Sequence, residues 1–235
     1  MTHRHAHDHA GGHPRSSGPV RPGEPATHGR RVLNFLAFPG RAITVMQKDL
    51  GPLQSLRSER FSYVAEETVG RCLDIGCGPE NRFISSWHPH GLGIDVFGYE
   101  GLTEEQVVAD MTALPFDDGS FDTVTLIAAL NHIPEPLRVP ELREMRRVLA
   151  PGGRLVLTMG NALAEVTVHK LVHTYAHAFG THEDMDGERG MEHDENFSVA
   201  PREIRSLLQA AGFDSVRRRR FWSQWGLNSL YIARK

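Results

Sequence analysis

The sequence predicts an α/β domain: a doubly wound, mostly parallel seven-stranded sheet with helices on both faces and an antiparallel edge strand. Two observations carry this expectation. Short apolar runs of strand length recur from residue 72 onward and alternate with helix-like stretches, the pattern of a parallel sheet covered on both sides. The first run, Cys72-Leu73-Asp74-Ile75, leads directly into Gly76-Cys77-Gly78, a tight turn at the carboxyl edge of a strand, where open α/β sheets bind their ligands. Two residues without a Cβ let a ligand approach the backbone closely. Asp74, just before the turn, is expected to place a carboxylate at the mouth of that crevice.

Composition narrows the function. The chain has 235 residues, enough for one such domain with an insertion and a tail, and 40% hydrophobic residues supply a sizeable core. A net charge of -3 and a pI near 6.5 give no global attraction to nucleic acid or to a membrane surface. The longest apolar run, Val124 to Leu130 with Thr125 inside it, is far too short to span a bilayer. The N-terminus lacks the apolar core of a signal peptide. Cys72 and Cys77 flank a buried strand end, a poor arrangement for a structural disulfide, so a reduced, cytoplasmic protein is expected.

Residues 1–30 are rich in His, Gly, Pro, Arg and Ser without hydrophobic periodicity and read as a disordered tail. Its histidines, His3 to His13, either hang in solvent or bind Zn²⁺ or Ni²⁺ weakly. Residues 31–68 resemble short amphipathic helices that lid one end of a sheet, with Val32, Leu33, Phe35, Leu36 and Phe38 as their apolar side and a helix from Glu59 to Val69 leading into the first strand. Leu92 to Val96 is the second strand and ends in Asp95, about twenty positions beyond the glycine turn, where a ribose-binding acid belongs. Val107 to Met111 reads as the third strand, again with a carboxylate, Asp110, and Phe121 to Ile127 as the fourth. Pro140 to Leu149 is an amphipathic helix, and Pro151-Gly152-Gly153 turns into a fifth strand, Arg154 to Thr158. Residues 160–200 form an insertion on the substrate side; there His169, His173 and His177 recur every fourth residue on one helical face. Pro201 opens a helix that Gly212 closes, and residues 213–221 and 230–233 make a final antiparallel pair at the edge.

The segments Leu73-Asp74-Ile75-Gly76-Cys77-Gly78, Gly93-Ile94-Asp95, Ala109 to Phe116, Phe121-Asp122-Thr123-Val124 and Leu149-Ala150-Pro151-Gly152-Gly153 stand in one order. Together they resemble the class I S-adenosylmethionine-dependent methyltransferases, of Rossmann-like fold, in their small-molecule branch of the ubiquinone/menaquinone methyltransferase type. The resemblance implies S-adenosyl-L-methionine as cofactor and a small-molecule methyl acceptor on O, N or C. By the same resemblance Gly76, Cys77 and Gly78 pass beneath the methionine part of the cofactor and Asp74 lies near its amino group. Asp95 would hold the ribose hydroxyls, Asp110 with the Met111 N–H would read the adenine edge, and Val96 and Met111 would sandwich the ring.

The chain departs from the family pattern at Pro79-Glu80, where a further glycine is usual, and after Asp95, where a Ser-Pro helix start is missing. Asn131-His132 follows the fourth strand, which would bring Asn131 to the cofactor and His132 beside the transferred methyl as a general base. His173 and His177 are alternative bases, and the histidine face is read as a lid or polar pocket rather than a metal site. Two rival readings are an RNA or protein methyltransferase and a cofactor-binding module without catalysis. The basic run Arg217 to Arg220 would alternate faces on a strand, so a nucleic-acid partner is not expected. The sequence specifies no oligomeric state.

Overall fold

The computed structural model describes residues 23–43, 48–161 and 198–235. Among the described residues six strands form one sheet: β1 Cys72–Ile75, β2 Leu92–Ile94, β3 Phe121–Ile127, β4 Leu149–Gly160, β5 Ser215–Arg220 and β6 Asn228–Arg234, in the spatial order β2-β1-β3-β4-β6-β5. β1, β2, β3 and β4 pair in parallel, and β6 runs against both β4 and β5, completing the antiparallel pair at the edge. Helices α1 His28–Leu36, α2 Phe38–Ile43, α3 Leu56–Ala65, α4 Arg82–Trp87, α5 Glu135–Val148 and α6 Pro201–Ala210 surround it.

The two-residue alternation of the strands sorts the core. Leu73, Ile75, Val124, Leu126, Leu155 and Leu157 join Leu142 and Met145 of α5 and Ile204 and Leu208 of α6 in one layer. Cys72, Val156 and Ile232 meet Tyr63 and Val64 of α3 and Phe83 and Ile84 of α4 on the other face. Tyr63 stacks on Phe221 with ring centroids 4.0 Å apart.

Several boundaries differ from the sequence-based expectation. Residues 107–111 form no ladder; a single bridge, Asp95 to Val107, remains. A helical turn at Glu104–Gln106 precedes them and the Asp110 side chain closes a turn onto Thr112, which leaves too little extended chain for a seventh strand. The helix expected from Glu59 instead spans Leu56–Ala65, capped by Ser55. The helix expected from Pro140 starts at Glu135, because Arg138 ties its first turn to the Ile133 carbonyl and to Glu203. The last residues of the expected tail are structured: Thr27 caps α1, and the Ala26 N–H donates to Ser62 Oγ. Most of the expected insertion, residues 162–197, lies outside the described residues, as do residues 1–22.

The N-terminal helices pack with their polar side inward. Arg41 pairs with Glu59 at 2.7 Å, both buried, and Asn34, Gln54 and Gln224 complete the network. Arg30 and Arg31 are also buried, on Asp49 and Glu66. Val32, Leu33, Phe35 and Leu36, expected to face the sheet, are exposed. A buried Glu59 carboxylate demands cationic and amide partners: α2 supplies Arg41, and α1 supplies Asn34 only by turning its polar side in.

Candidate cofactor site

The glycine turn folds back over the end of β2: the N–H groups of Gly76 and Cys77 both donate to the Ile94 carbonyl, at 3.0 and 3.1 Å. Gly76 and Gly78 hold φ of 69° and 65°, the left-handed region in which glycine is free of strain. A Cβ on Gly76 would stand 3.0 Å from that of Ala129, so the turn is pressed against the exit of β3. A Cβ on Gly78 would meet nothing within 4 Å, so space is open where a ligand would lie.

Asp95 sits where β2 ends, buried, and joins the turn to its own loop. Its Oδ2 accepts from the Gly78 N–H at 2.9 Å and its Oδ1 from the Phe97 N–H at 3.1 Å. A carboxylate has further lone pairs beyond these two bonds, enough for a ribose diol. Val96, the next residue, is exposed beside it.

Asp74 is buried within β1 rather than standing at the crevice mouth, because the fully buried strand pairs on both sides. Thr125 Oγ1 donates to its Oδ1 at 2.5 Å from the neighbouring strand. Burial pushes the Asp74 carboxyl up to about 7, the Asp95 charge adds to that, and the Thr125 bond opposes it. Burial likewise raises the Cys77 thiol to about 12, with Asp74 and Asp95 reinforcing the effect, so Cys77 offers shape rather than a thiolate.

Asp110 is exposed at the next loop, its Oδ1 held by the Thr112 N–H and hydroxyl, which lower its pKa. The Met111 side chain is buried and belongs to the core cluster that includes Leu73 and Ile75. Asn131 and His132 lie half-buried in a single helical turn, Leu130–His132, after β3, with Asn131 Nδ2 3.4 Å from His132 Nε2. Ala128, just before them, has φ of 53° and donates its N–H to Thr158. Backbone strain of this kind concentrates at functional edges. His173 and His177 fall outside the described residues. Among the described residues no three His, Cys, Asp or Glu side chains gather as a metal site.

Glu80, where the family usually has glycine, keeps a glycine-like backbone with φ 63° and ψ 4°, and Asn81 follows at φ 46°. The Glu80 side chain turns to the surface and pairs with Arg82 at 2.8 Å. Sequence reasoning missed three neighbours. Thr125 holds Asp74. Tyr99 has its hydroxyl pKa raised by burial, then by Asp95 and Cys77. Glu141 is buried on α5, its carboxyl raised to about 7 by desolvation and then by Asp110. None had a signal beyond residue type, because their closeness depends on pairing between distant segments.

Asp95 and Asp110 thus bring carboxylates to the exit of β2 and to the loop beyond, with the Asp74 carboxyl buried behind the glycine turn. That set suits a ligand with a cationic centre, a diol and a base, and the open space at Gly78 admits it.

Comparison with known proteins agrees. Residues 73–157 match the family model described as a methyltransferase domain. The chain is 53% identical over 108 residues to a demethylmenaquinone methyltransferase of Clavibacter sepedonicus, covering 40% of this chain and 42% of that one. It is 36% identical over 103 residues to the 27-O-demethylrifamycin SV methyltransferase of Amycolatopsis mediterranei, covering 37% of each. The chain therefore spans less than half the length of these curated relatives. In fold it resembles the PH0226 protein of Pyrococcus horikoshii, with a TM-score of 0.54 at 16% identity, over 76% of this chain and 89% of that one. The glycine turn and the sheet order accompany this match: residues 73–157 are similar to a methyltransferase domain.

Proposed function

We propose that this protein transfers a methyl group from S-adenosyl-L-methionine to a small-molecule acceptor in the cytoplasm. The observation that carries the reading is the Gly78 N–H bound to the buried Asp95 carboxylate, with open space in front of Gly78. When bound, the cofactor supplies an electrophilic methyl on a sulfonium, and displacement in line leaves a neutral thioether. Asp95 accepts from the ribose hydroxyls. Asp74, losing its proton to solvent when a cation binds, would balance the cationic methionine end. Asp110 and the Met111 N–H meet the adenine edge, and Val96 covers one face of the ring. Asn131 and His132 line the side from which the acceptor approaches, and His132 takes the acceptor's proton when the reacting atom carries one. Positioning supplies much of the rate of such a displacement.

The arginine run gives no support to a nucleic-acid acceptor. Arg217 and Arg219 pair with Glu67 and Glu66, and Arg218 binds Ser229 and lies over Tyr231. No helix among the described residues is long and apolar enough to cross a membrane.

The test is calorimetric titration with S-adenosylmethionine and S-adenosylhomocysteine, followed by a methyl-label transfer screen over phenols, amines and activated carbon acids. Binding of both cofactor forms with label transfer to one acceptor class supports the reading. Cofactor binding with no transfer to any acceptor moves the protein to the non-catalytic reading, and absent binding overturns the site.

A further inference from the structure

The apolar side of α1 is the least explained surface of the molecule. Leu36 is 69% exposed and Trp225 54%, and Val32, Leu33, Phe35 and Trp222 are exposed with them. These residues form one surface. Phe35 lies 6.1 Å from both Trp222 and Trp225, Phe38 lies 5.5 Å from Trp225, and His28 lies 5.8 Å from Trp222. The Trp225 indole N–H donates to the Phe35 carbonyl at 3.1 Å, and Trp225 holds φ of 53°, an unfavourable conformation for a bulky residue. The fold therefore fixes two tryptophans and one helix face outward instead of burying them.

We infer that α1 and the Trp222–Gln224 turn form a contact face for an anionic lipid surface. The proposal is independent of the methyl-transfer reading. Charge favours lipid: no Asp or Glu occurs between Glu24 and Asp49, and the turn from Phe221 to Leu227 carries no charge. Asp49, which ends that gap, is engaged by Arg30, Ser55 and Ser58. Exposed Arg220 lies against Gly226 in the turn, so a cation borders the face. Apolar and aromatic side chains with a flanking cation suit the interfacial zone of a bilayer containing acidic lipids. The face also lies at the carboxyl edge of the sheet: Asn161, at the end of β4, bonds to the Leu227 and Gly226 carbonyls.

The full chain is sedimented with phosphatidylcholine vesicles, with and without phosphatidylglycerol, while tryptophan emission is recorded. Binding to the phosphatidylglycerol vesicles with a blue shift is expected, and Leu36→Glu should weaken it about tenfold or more with an unchanged melting curve. Leu33→Glu gives the same readout at a second exposed position. Absent vesicle binding overturns the proposal, as does binding that both variants leave intact. A concentration-dependent dimer that Leu36→Glu dissolves, seen without vesicle binding, overturns it too and assigns the face to a second copy.

Discussion

Asp74 offers the sharpest test of the site, because its carboxyl is raised to about 7 from the ordinary aspartate value of 3.8. In the unfolded chain the group ionises near its ordinary value; in the folded protein it keeps its proton to about 7. Below both values neither state gains. Between them the folded state holds a proton that the unfolded state has lost, so folding stability falls as pH rises through this window and levels off above it. A gap of roughly three pH units corresponds to about 4 kcal/mol at the upper end. Asp74→Asn keeps an acceptor for Thr125 and removes the titration, so urea unfolding at several pH values should show a shallower fall for the variant. The wild type retains a second contribution of the same sign from Glu141, which the variant shares. A cationic ligand beside Asp74 should also draw the proton off, so calorimetry near about pH 6 in buffers of different ionisation enthalpy should detect proton release on cofactor binding. Parallel stability curves for the wild type and Asp74→Asn would refute the assignment.

Other positions give further tests. Asp95→Ala should weaken cofactor binding by about 1.5–3 kcal/mol, measured by calorimetry, since a charged acceptor for the ligand is lost. Glu80→Gly should raise stability by about 0.5–1 kcal/mol in thermal melts, because it relieves a left-handed backbone and sacrifices only an exposed ion pair. Glu59→Ala should cost about 3–5 kcal/mol in urea unfolding by stranding the buried Arg41; a loss below about 1 would show that water already reaches the network. His132→Ala should lower turnover by about a hundredfold or more while cofactor affinity holds, and should flatten the pH profile of the rate if His132 is the base.

Much of this fold was legible because short apolar runs bounded by glycine mark buried parallel strands. β1, β2 and β3 stand where their sequences place them, and Asp95 reaches the glycine turn. The third expected strand was not legible as a turn, since Val107-Val108 looks like any strand start, and only the Asp110 to Thr112 bonds decide otherwise. The N-terminal helices mark another limit. Periodicity shows that Val32, Leu33, Phe35 and Leu36 share a side, but the direction that side faces depends on Glu59, more than a turn of chain away in another helix. Asp74 failed similarly: the sequence puts it beside the turn, while pairing with β3 puts Thr125 over it.

The place of β6 bears on the order in which the sheet is assembled. β1, β2 and β3, which carry the glycine turn and Asp95, come from one continuous stretch and pair without help from later segments. Among the described residues β5 has no neighbour in the sheet except β6, and β4 is bordered by that same strand. Until β6 arrives, β4 presents an open edge and β5 has no place to dock. The junction of β4 with β6, from Arg154 opposite Arg234 to Gly160 opposite Asn228, is a long-range pairing that leaves an adhesive β4 edge exposed until it forms.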